Sequence, residues 1–278
     1  MTIDLHSHTT ASDGELTPAQ LMALAYERGV TTIAVTDHDT TDGVRPAMTA
    51  AEMLGITVVP GIELSAETDE DGDVHMLGYF IDLDNTDFQT RLGEFRENRY
   101  HRGRAIVRRL NELGVALDFA AVEAQADGAP ITRPHIARAM VAAGHAPDLQ
   151  TAFDNYLADD APAYVRRMKM TPEEAVDLIH SAGGVAVMAH PGRVAAYERI
   201  LDRLGQHGVD GVEVNHPSND QAVKQRAAEM AAQYDLITTG GSDFHRPERD
   251  GTVRLGAYHP PAGALEALRA KAAPTDAT

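Results

Sequence analysis

Two histidines one residue apart, His6 and His8, stand near the start of this 278-residue chain, and Asp243 and His245, with the same spacing, stand near its other end. Side chains alternate along an extended segment, so His6 and His8 point the same way and can grip one ion while Leu5 faces a core. Further candidates are scattered between them: Asp13, Asp37, His38, Glu63, His75, His190, and the pair Glu213 and His216. The sequence contains no cysteine, so any metal centre here relies on imidazole nitrogen and carboxylate oxygen. Asp37 has two readings, because an acid beside a ligand histidine either binds the ion or orients its neighbour and caps a helix.

Residues so far apart in sequence need a scaffold that gathers them. Short apolar, β-branched runs recur at 3–5, 31–36, 56–59, 74–80, 184–189, 211–214 and 236–239, which gives seven candidate strands. Helical patterns with recognisable ends separate most of them. Thr17 and Pro18 open one helix and Gly29 ends it, and Thr171, Pro172, Glu173 and Glu174 repeat that opening with Glu174 in the capping-box position. Such alternation implies an α/β fold with a mostly parallel sheet. Seven strands without a dinucleotide-binding glycine fingerprint favour a barrel over a doubly wound sheet. The candidate ligands then fall at or just beyond strand ends, which converge on one face of a barrel. Between 86 and 170 the alternation gives way to helical patterns at 88–113, 133–143 and 147–157, read as a helical insertion. The barrel domain is therefore expected over 1–85 and 171–272, with 273–278 as a flexible tail.

The formal charge is −18, which opposes a surface that tracks long nucleic acid, and 5% aromatic residues oppose extended base stacking. The charge is uneven. Residues 91–170 hold 12 of the 24 Lys and Arg but only 10 of the 42 Asp and Glu, so this segment is slightly basic and the remainder strongly acidic. A basic segment beside an acidic, metal-binding body suits a small anionic substrate. No apolar run is long enough to span a membrane and residues 1–30 lack a secretory pattern, so a cytoplasmic location is expected.

Several blocks, 6–14, 36–39, 61–63, His75, 189–193 and 242–245, together resemble the polymerase and histidinol phosphatase (PHP) superfamily of metal-dependent phosphoesterases. The resemblance spans nearly the whole chain in the family's order and implies a distorted seven-stranded β/α barrel. It also implies two or three divalent ions. His6, His8, Glu63 and Asp243 would hold the first, Glu63 would bridge to a second held by His75 and His190, and Asp13, His38 and His245 would hold a third. Some relatives carry histidine where Asp13 stands. Manganese is favoured by the oxygen share, and iron or zinc accept the same donors. Such ions cancel phosphate charge and lower the pKa of a bridging water, whose hydroxide would be the nucleophile.

Members with a helical insertion and a His, Pro, Gly, Arg block, here 190–193, are the closest in appearance, and some are nucleoside 3′,5′-bisphosphate phosphatases. The resemblance therefore implies removal of the 3′-phosphate from such a nucleotide. Arg193, Arg133 and His135 are the expected substrate contacts, since guanidinium forks and helix N-termini both suit phosphate. Arg193 and His216 are the candidates for a catalytic role beyond the ligands; a metal, a metal-bound water and His216 are the alternatives for serving the leaving oxygen, His216 as a proton donor. The arginines at 91, 96, 99, 102, 104, 108 and 109 read as a solvated helical face or interface that can steer anions. A cyclic ribose-phosphate phosphodiesterase, a 5′ to 3′ exonuclease on short RNA or DNA, and a metal-stabilised regulatory module are the alternatives. The oligomeric state has no signature in the sequence.

Overall fold

The computed structural model describes residues 2–68, 72–159, 161–165 and 170–272; the tail expected at 273–278 lies outside the described residues. By backbone contacts the chain forms two compact units, one comprising Met1–Gln89 with Lys169–Thr278 and the other Thr90–Met168.

The first unit opens with β1 (Thr2–Asp4), α1 (Pro18–Glu27), β2 (Val30–Val35), α2 (Val44–Glu52), β3 (Thr57–Thr68) and β4 (Gly72–Tyr79). Thr17 starts α1 with a complete capping box to Gln20. The strands follow one another across a single seven-stranded sheet in chain order. β1, β2 and β3 are parallel, and β4 runs antiparallel to β3. β3 continues well past the expected 56–59, so Glu63 lies inside the strand and not after it. Pro60 and Gly61 look like a stop, yet Pro60 pairs with Val35, and residues 61–68 are buried throughout, which removes the polar alternation that marks a half-exposed strand.

The second unit is helical. α3 (Thr86–Glu112) leads into it, followed by α4 (Phe119–Ala126), α5 (Arg133–Ala142) and α6 (Leu149–Ala152), the last running into a π-helical turn at Phe153–Leu157. The expected 147–157 helix is thus an α-turn and a π-turn joined end to end. α4 was not expected; it is short and alanine-rich, and it is set off by the Asp118 N-cap and by Asp127 in left-handed conformation. Ile106, Leu110, Val122, Ile136, Met140 and Leu157 form its core.

The first unit resumes with α7 (Pro172–Ser181), β5 (Val185–Met188), α8 (Tyr197–His207), β6 (Gly211–Asn215), α9 (Gln221–Tyr234), β7 (Ile237–Gly240) and α10 (Ala264–Lys271). Thr171 and Glu174 form the anticipated capping box of α7. β5 is antiparallel to β4, while β5, β6 and β7 are parallel. Beyond β1, the Leu5 amide meets the Gly240 carbonyl at 3.4 Å and Ser7 bridges to Phe244, so the first and last strands join and the sheet closes into a barrel. Leu5, Ala34, Val59, Leu77 and Val187 pack inside it against Leu268 of α10. Each fully buried leucine there stabilises the fold by about 2 kcal/mol. Among the described residues, no helix is long and apolar enough to cross a membrane.

Candidate metal centre

The two ends of the barrel are tied together by one buried carboxylate and by backbone bonds, and these ties bring the histidines into register. The Asp4 carboxylate, fully buried at the end of β1, accepts the amides of His6 (3.2 Å), Ser242 (2.9 Å) and Gly256 (2.7 Å). Gly241 lies so close to His6 that a Cβ there would stand 2.3 Å from the His6 Cβ, so this crossing admits only glycine. The His8 amide then bonds to the Phe244 carbonyl at 2.9 Å. Asp4 went unnoticed in the sequence; its signal is an acid at the end of an otherwise apolar strand.

Glu63 is the hub of what this closure brings together. Its Oε2 is 3.2 Å from His6 Nε2, 3.1 Å from His8 Nε2 and 3.3 Å from His38 Nδ1. Its Oε1 is 2.8 Å from both His75 Nδ1 and His190 Nε2. Asp243 Oδ1 faces His6 Nε2 at 3.4 Å, His8 Nε2 at 3.2 Å and His245 Nδ1 at 3.5 Å, while Asp13 Oδ1 faces His245 Nε2 at 3.2 Å. Among the described residues, four sets of potential ligand atoms gather within 4.8 Å: His6, His8, Glu63 and Asp243; His8, Asp13, His38 and His245; His38, Glu63 and His75; and His6, Glu213 and His216. His190 and Asp243 have backbone φ of 25° and 52°, a left-handed conformation that non-glycine residues adopt at a cost.

The donor set fits divalent cations. Both nitrogens of the fully buried His8 lack a hydrogen-bond partner among the described residues, as do His38 Nδ1 and His190 Nδ1. Leaving buried polar atoms unsatisfied costs about 1–3 kcal/mol each, and a cation held by imidazole lone pairs and carboxylates removes that cost. The electrostatics agree. Burial alone would raise the pKa of Glu63, yet the surrounding His38, His6 and His75 hold it well below the usual carboxylate range. Burial opposes charge on His8, but the Asp243 and Glu63 carboxylates beside its Nε2 lift it to about 10, whereas burial prevails at His38 and His190 and takes them to about 3 and about 4.

Asp37 orients its loop and is not gathered with the ligand atoms. It accepts from the Thr9 amide (2.7 Å), the Thr9 hydroxyl (2.8 Å) and the Ser12 hydroxyl (2.6 Å). Ser7 donates to the Ala34 carbonyl at 2.6 Å, so neither serine hydroxyl is poised as a nucleophile. His216 is fully buried, its Nδ1 accepting the Ser218 amide at 3.0 Å and its Nε2 lying 3.4 Å from Asp243 Oδ2. Arg193, half-exposed on the 3-10 turn Pro191–Arg193, brings Nη2 to 2.8 Å from that same oxygen.

Arg133 and His135 belong to the helical unit. His135 is buried and its Nδ1 accepts the Thr132 amide at 3.2 Å, completing a capping box on α5. Arg133 pairs with Asp159 at 2.7 Å and donates to the Leu157 carbonyl at 3.2 Å.

The PHP domain family matches residues 4–169 of this sequence. The chain belongs to the PHP family. The 5′-3′ exoribonuclease Rnm of Escherichia coli is 37% identical over 88% of this chain and 85% of its own length. A 3′,5′-nucleoside bisphosphate phosphatase of Chromobacterium violaceum is 35% identical over 90% of this chain and 89% of its own. The crystal structure of a candidate metal-dependent phosphoesterase from Bifidobacterium adolescentis superposes with a TM-score of 0.89 at 32% identity, covering 98% of this chain and 97% of that one. This PHP protein is a metal-dependent phosphoester hydrolase built on the family's α/β fold.

Proposed function

We propose that this PHP protein removes the 3′-phosphate from a nucleoside 3′,5′-bisphosphate. The observation that carries the reading is the Glu63-centred cluster, with the half-exposed Arg193 guanidinium at its Asp243 edge. In this reading His6, His8, Glu63 and Asp243 hold one ion, Glu63, His75 and His190 a second, and Asp13, His38 and His245 a third. Manganese is the first choice because each of the three sites includes a carboxylate from Asp13, Glu63 or Asp243, with iron and zinc as substitutes. When bound, such ions neutralise the phosphate oxygens and lower the pKa of a coordinated water.

The chain's own work is to hold that arrangement and to grip the substrate. Glu63 keeps five imidazoles, one on β4 and four in the loops after β1, β2 and β5, facing one another. Arg193 has further guanidinium hydrogens to offer a phosphate oxygen while one stays on Asp243. His216 serves Asp243 in this reading and is not the proton donor expected from its sequence position. A leaving-group oxygen cannot reach a fully buried Nε2 without displacing Asp243.

A second reading is 5′ to 3′ trimming of a short RNA, which the name and 37% identity of the E. coli relative favour. One substrate panel decides between them: adenosine 3′,5′-bisphosphate, 3′-AMP, 5′-AMP, a cyclic ribose phosphate and a short 5′-phosphorylated oligoribonucleotide, compared by kcat/KM with Mn2+ present. The bisphosphate should lead. Equal turnover of 3′-AMP would remove the role of the 5′-phosphate, and a higher value for the oligonucleotide would establish the second reading.

A further inference from the structure

Glu213 stands on β6 with its carboxylate wholly buried between two histidines that come from different strand ends. Its Oε1 is 3.0 Å from His6 Nδ1, and its Oε2 accepts the His190 backbone amide at 2.9 Å. An ionised carboxylate only accepts, so the hydrogen of His6 belongs on Nδ1. That leaves the Nε2 lone pair of His6 facing Glu63 Oε2 and Asp243 Oδ1, at 3.2 Å and 3.4 Å. On the other side, the bond to the His190 amide pins a residue whose backbone sits at φ 25°, ψ 62°. A conformation of that kind costs about 1–3 kcal/mol and persists only when its surroundings hold it.

We propose that Glu213 is a positioning residue that fixes the tautomer of His6 and the backbone of His190 together, so that one carboxylate off the ions aligns ligands of two neighbouring metal sites. The proposal rests on the metal-centre reading given above. His6, Glu213 and His216 also offer ligand atoms within 4.8 Å of one another. A cation among them would have to break the 3.0 Å bond between Glu213 and His6, and the Ser218 amide already occupies His216 Nδ1. Glu213 is therefore an outer partner of the centre and not a ligand.

Glutamine has the same shape and the opposite consequence. A backbone amide can only donate, so the carbonyl of a glutamine at 213 must take the His190 amide, and its NH2 must turn to His6 Nδ1. His6 Nδ1 would then accept, its hydrogen would move to Nε2, and the lone pair needed for the metal would be lost. The test compares the wild-type protein with Glu213→Gln and Glu213→Asp by elemental analysis, Mn2+ titration and the visible absorption of Co2+-loaded samples. Glu213→Gln should melt within a few degrees of wild type when metal-free, yet bind one ion per chain about 10–100-fold more weakly. Glu213→Asp keeps an acceptor-only carboxylate and should recover part of that affinity. Independently of any variant, 15N-histidine spectra of the zinc-loaded wild type should show His6 with hydrogen on Nδ1 and metal on Nε2. Full ion content at wild-type affinity in Glu213→Gln, or hydrogen on His6 Nε2 in the wild type, overturns the proposal alone. A wild type that takes up no divalent ion overturns the metal-centre reading and the proposal with it.

Discussion

Two buried imidazoles, His135 at the start of α5 and His8 just beyond β1, are set in place on opposite terms. His135 spends Nδ1 on the Thr132 amide and is absorbed into a helix cap. His8 has neither nitrogen in a hydrogen bond, although both are shielded from solvent and two carboxylates stand within 3.2 Å of Nε2. A fold that satisfies a buried histidine locally gains stability from it. A fold that buries one unsatisfied gives up stability, at about 1–3 kcal/mol per polar atom, in exchange for a site that an external ion completes. Histidines alike in burial thus differ in purpose, and the partner list separates them.

The strongest test of that contrast is at its hub. Glu63→Ala removes the one carboxylate shared by five imidazoles, and kcat/KM on the bisphosphate should fall on the order of 10³-fold, with metal content dropping in parallel. Retention of both activity and metal would show that the cluster is a hydrogen-bonded network and not a metal centre. Next in size is Arg193→Ala. A charge-assisted contact to a phosphate oxygen is worth about 1.5–3 kcal/mol, so kcat/KM on the bisphosphate should fall about 10–100-fold, with a much smaller loss on an aryl phosphate. Equal losses on the two substrates would place Arg193 with the scaffold of Asp243, 2.8 Å away, instead of with the substrate.

His135→Ala probes the other side of the comparison. Losing the reciprocal bond of a capping box costs about 1 kcal/mol, a fall of roughly 2–4 °C in Tm, with metal content and the KM for the bisphosphate unchanged. A raised KM with an unmoved Tm would restore the substrate contact that the sequence suggested.

Sequence reasoning reached the ligands more easily than their supports, for a physical reason. His6 and His8 declare themselves by period-two spacing in an apolar strand, and Asp243 and His245 repeat that spacing. Seven strands were countable because most carry β-branched runs between capped helices. The antiparallel turn-back at β4 was not legible, because residues 61–68 are buried throughout and leave no alternation to set direction or length. Asp4 is one ordinary acid in a sequence with 42 of them, and Glu213 stands out there only as a candidate ligand; only the closed barrel shows that their carboxylates meet the amides of His6, Ser242 and His190. At His135 the structure adds a local role to the expected one. A histidine three residues after Thr132 looks like a phosphate ligand at a helix N-terminus, and the same position is the one from which a side chain reaches back to cap.

The smallest effect comes from a histidine of the barrel unit that is partnered like His135. On α7, His180 Nε2 lies 2.7 Å from Asp210 Oδ2, an oxygen that also accepts the Ala186 amide at 2.9 Å; Lys271 stands 3.4 Å from the other carboxylate oxygen, and Asp177 adds negative charge nearby. The bond to Asp210 raises the His180 pKa above its ordinary 6.5 despite partial burial. Burial would raise Asp210, but the His180 and Ala186 bonds outweigh it and hold the carboxyl below its ordinary 3.8. The signs define a window. The His180 contribution is fully present below about pH 6.5 and is lost as pH rises through the raised value, while that of Asp210 is present above about pH 4 and is lost as pH falls through the lowered one. His180→Gln should therefore lower Tm by about 2 °C near pH 6, an effect kept small by the exposure of the imidazole, and the gap to wild type should close toward pH 9. Thermal melts of the two proteins across pH 5–9 measure it. A gap independent of pH would mean that His180 is held as a neutral hydrogen-bond donor, and that its partnership with Asp210 carries no charge.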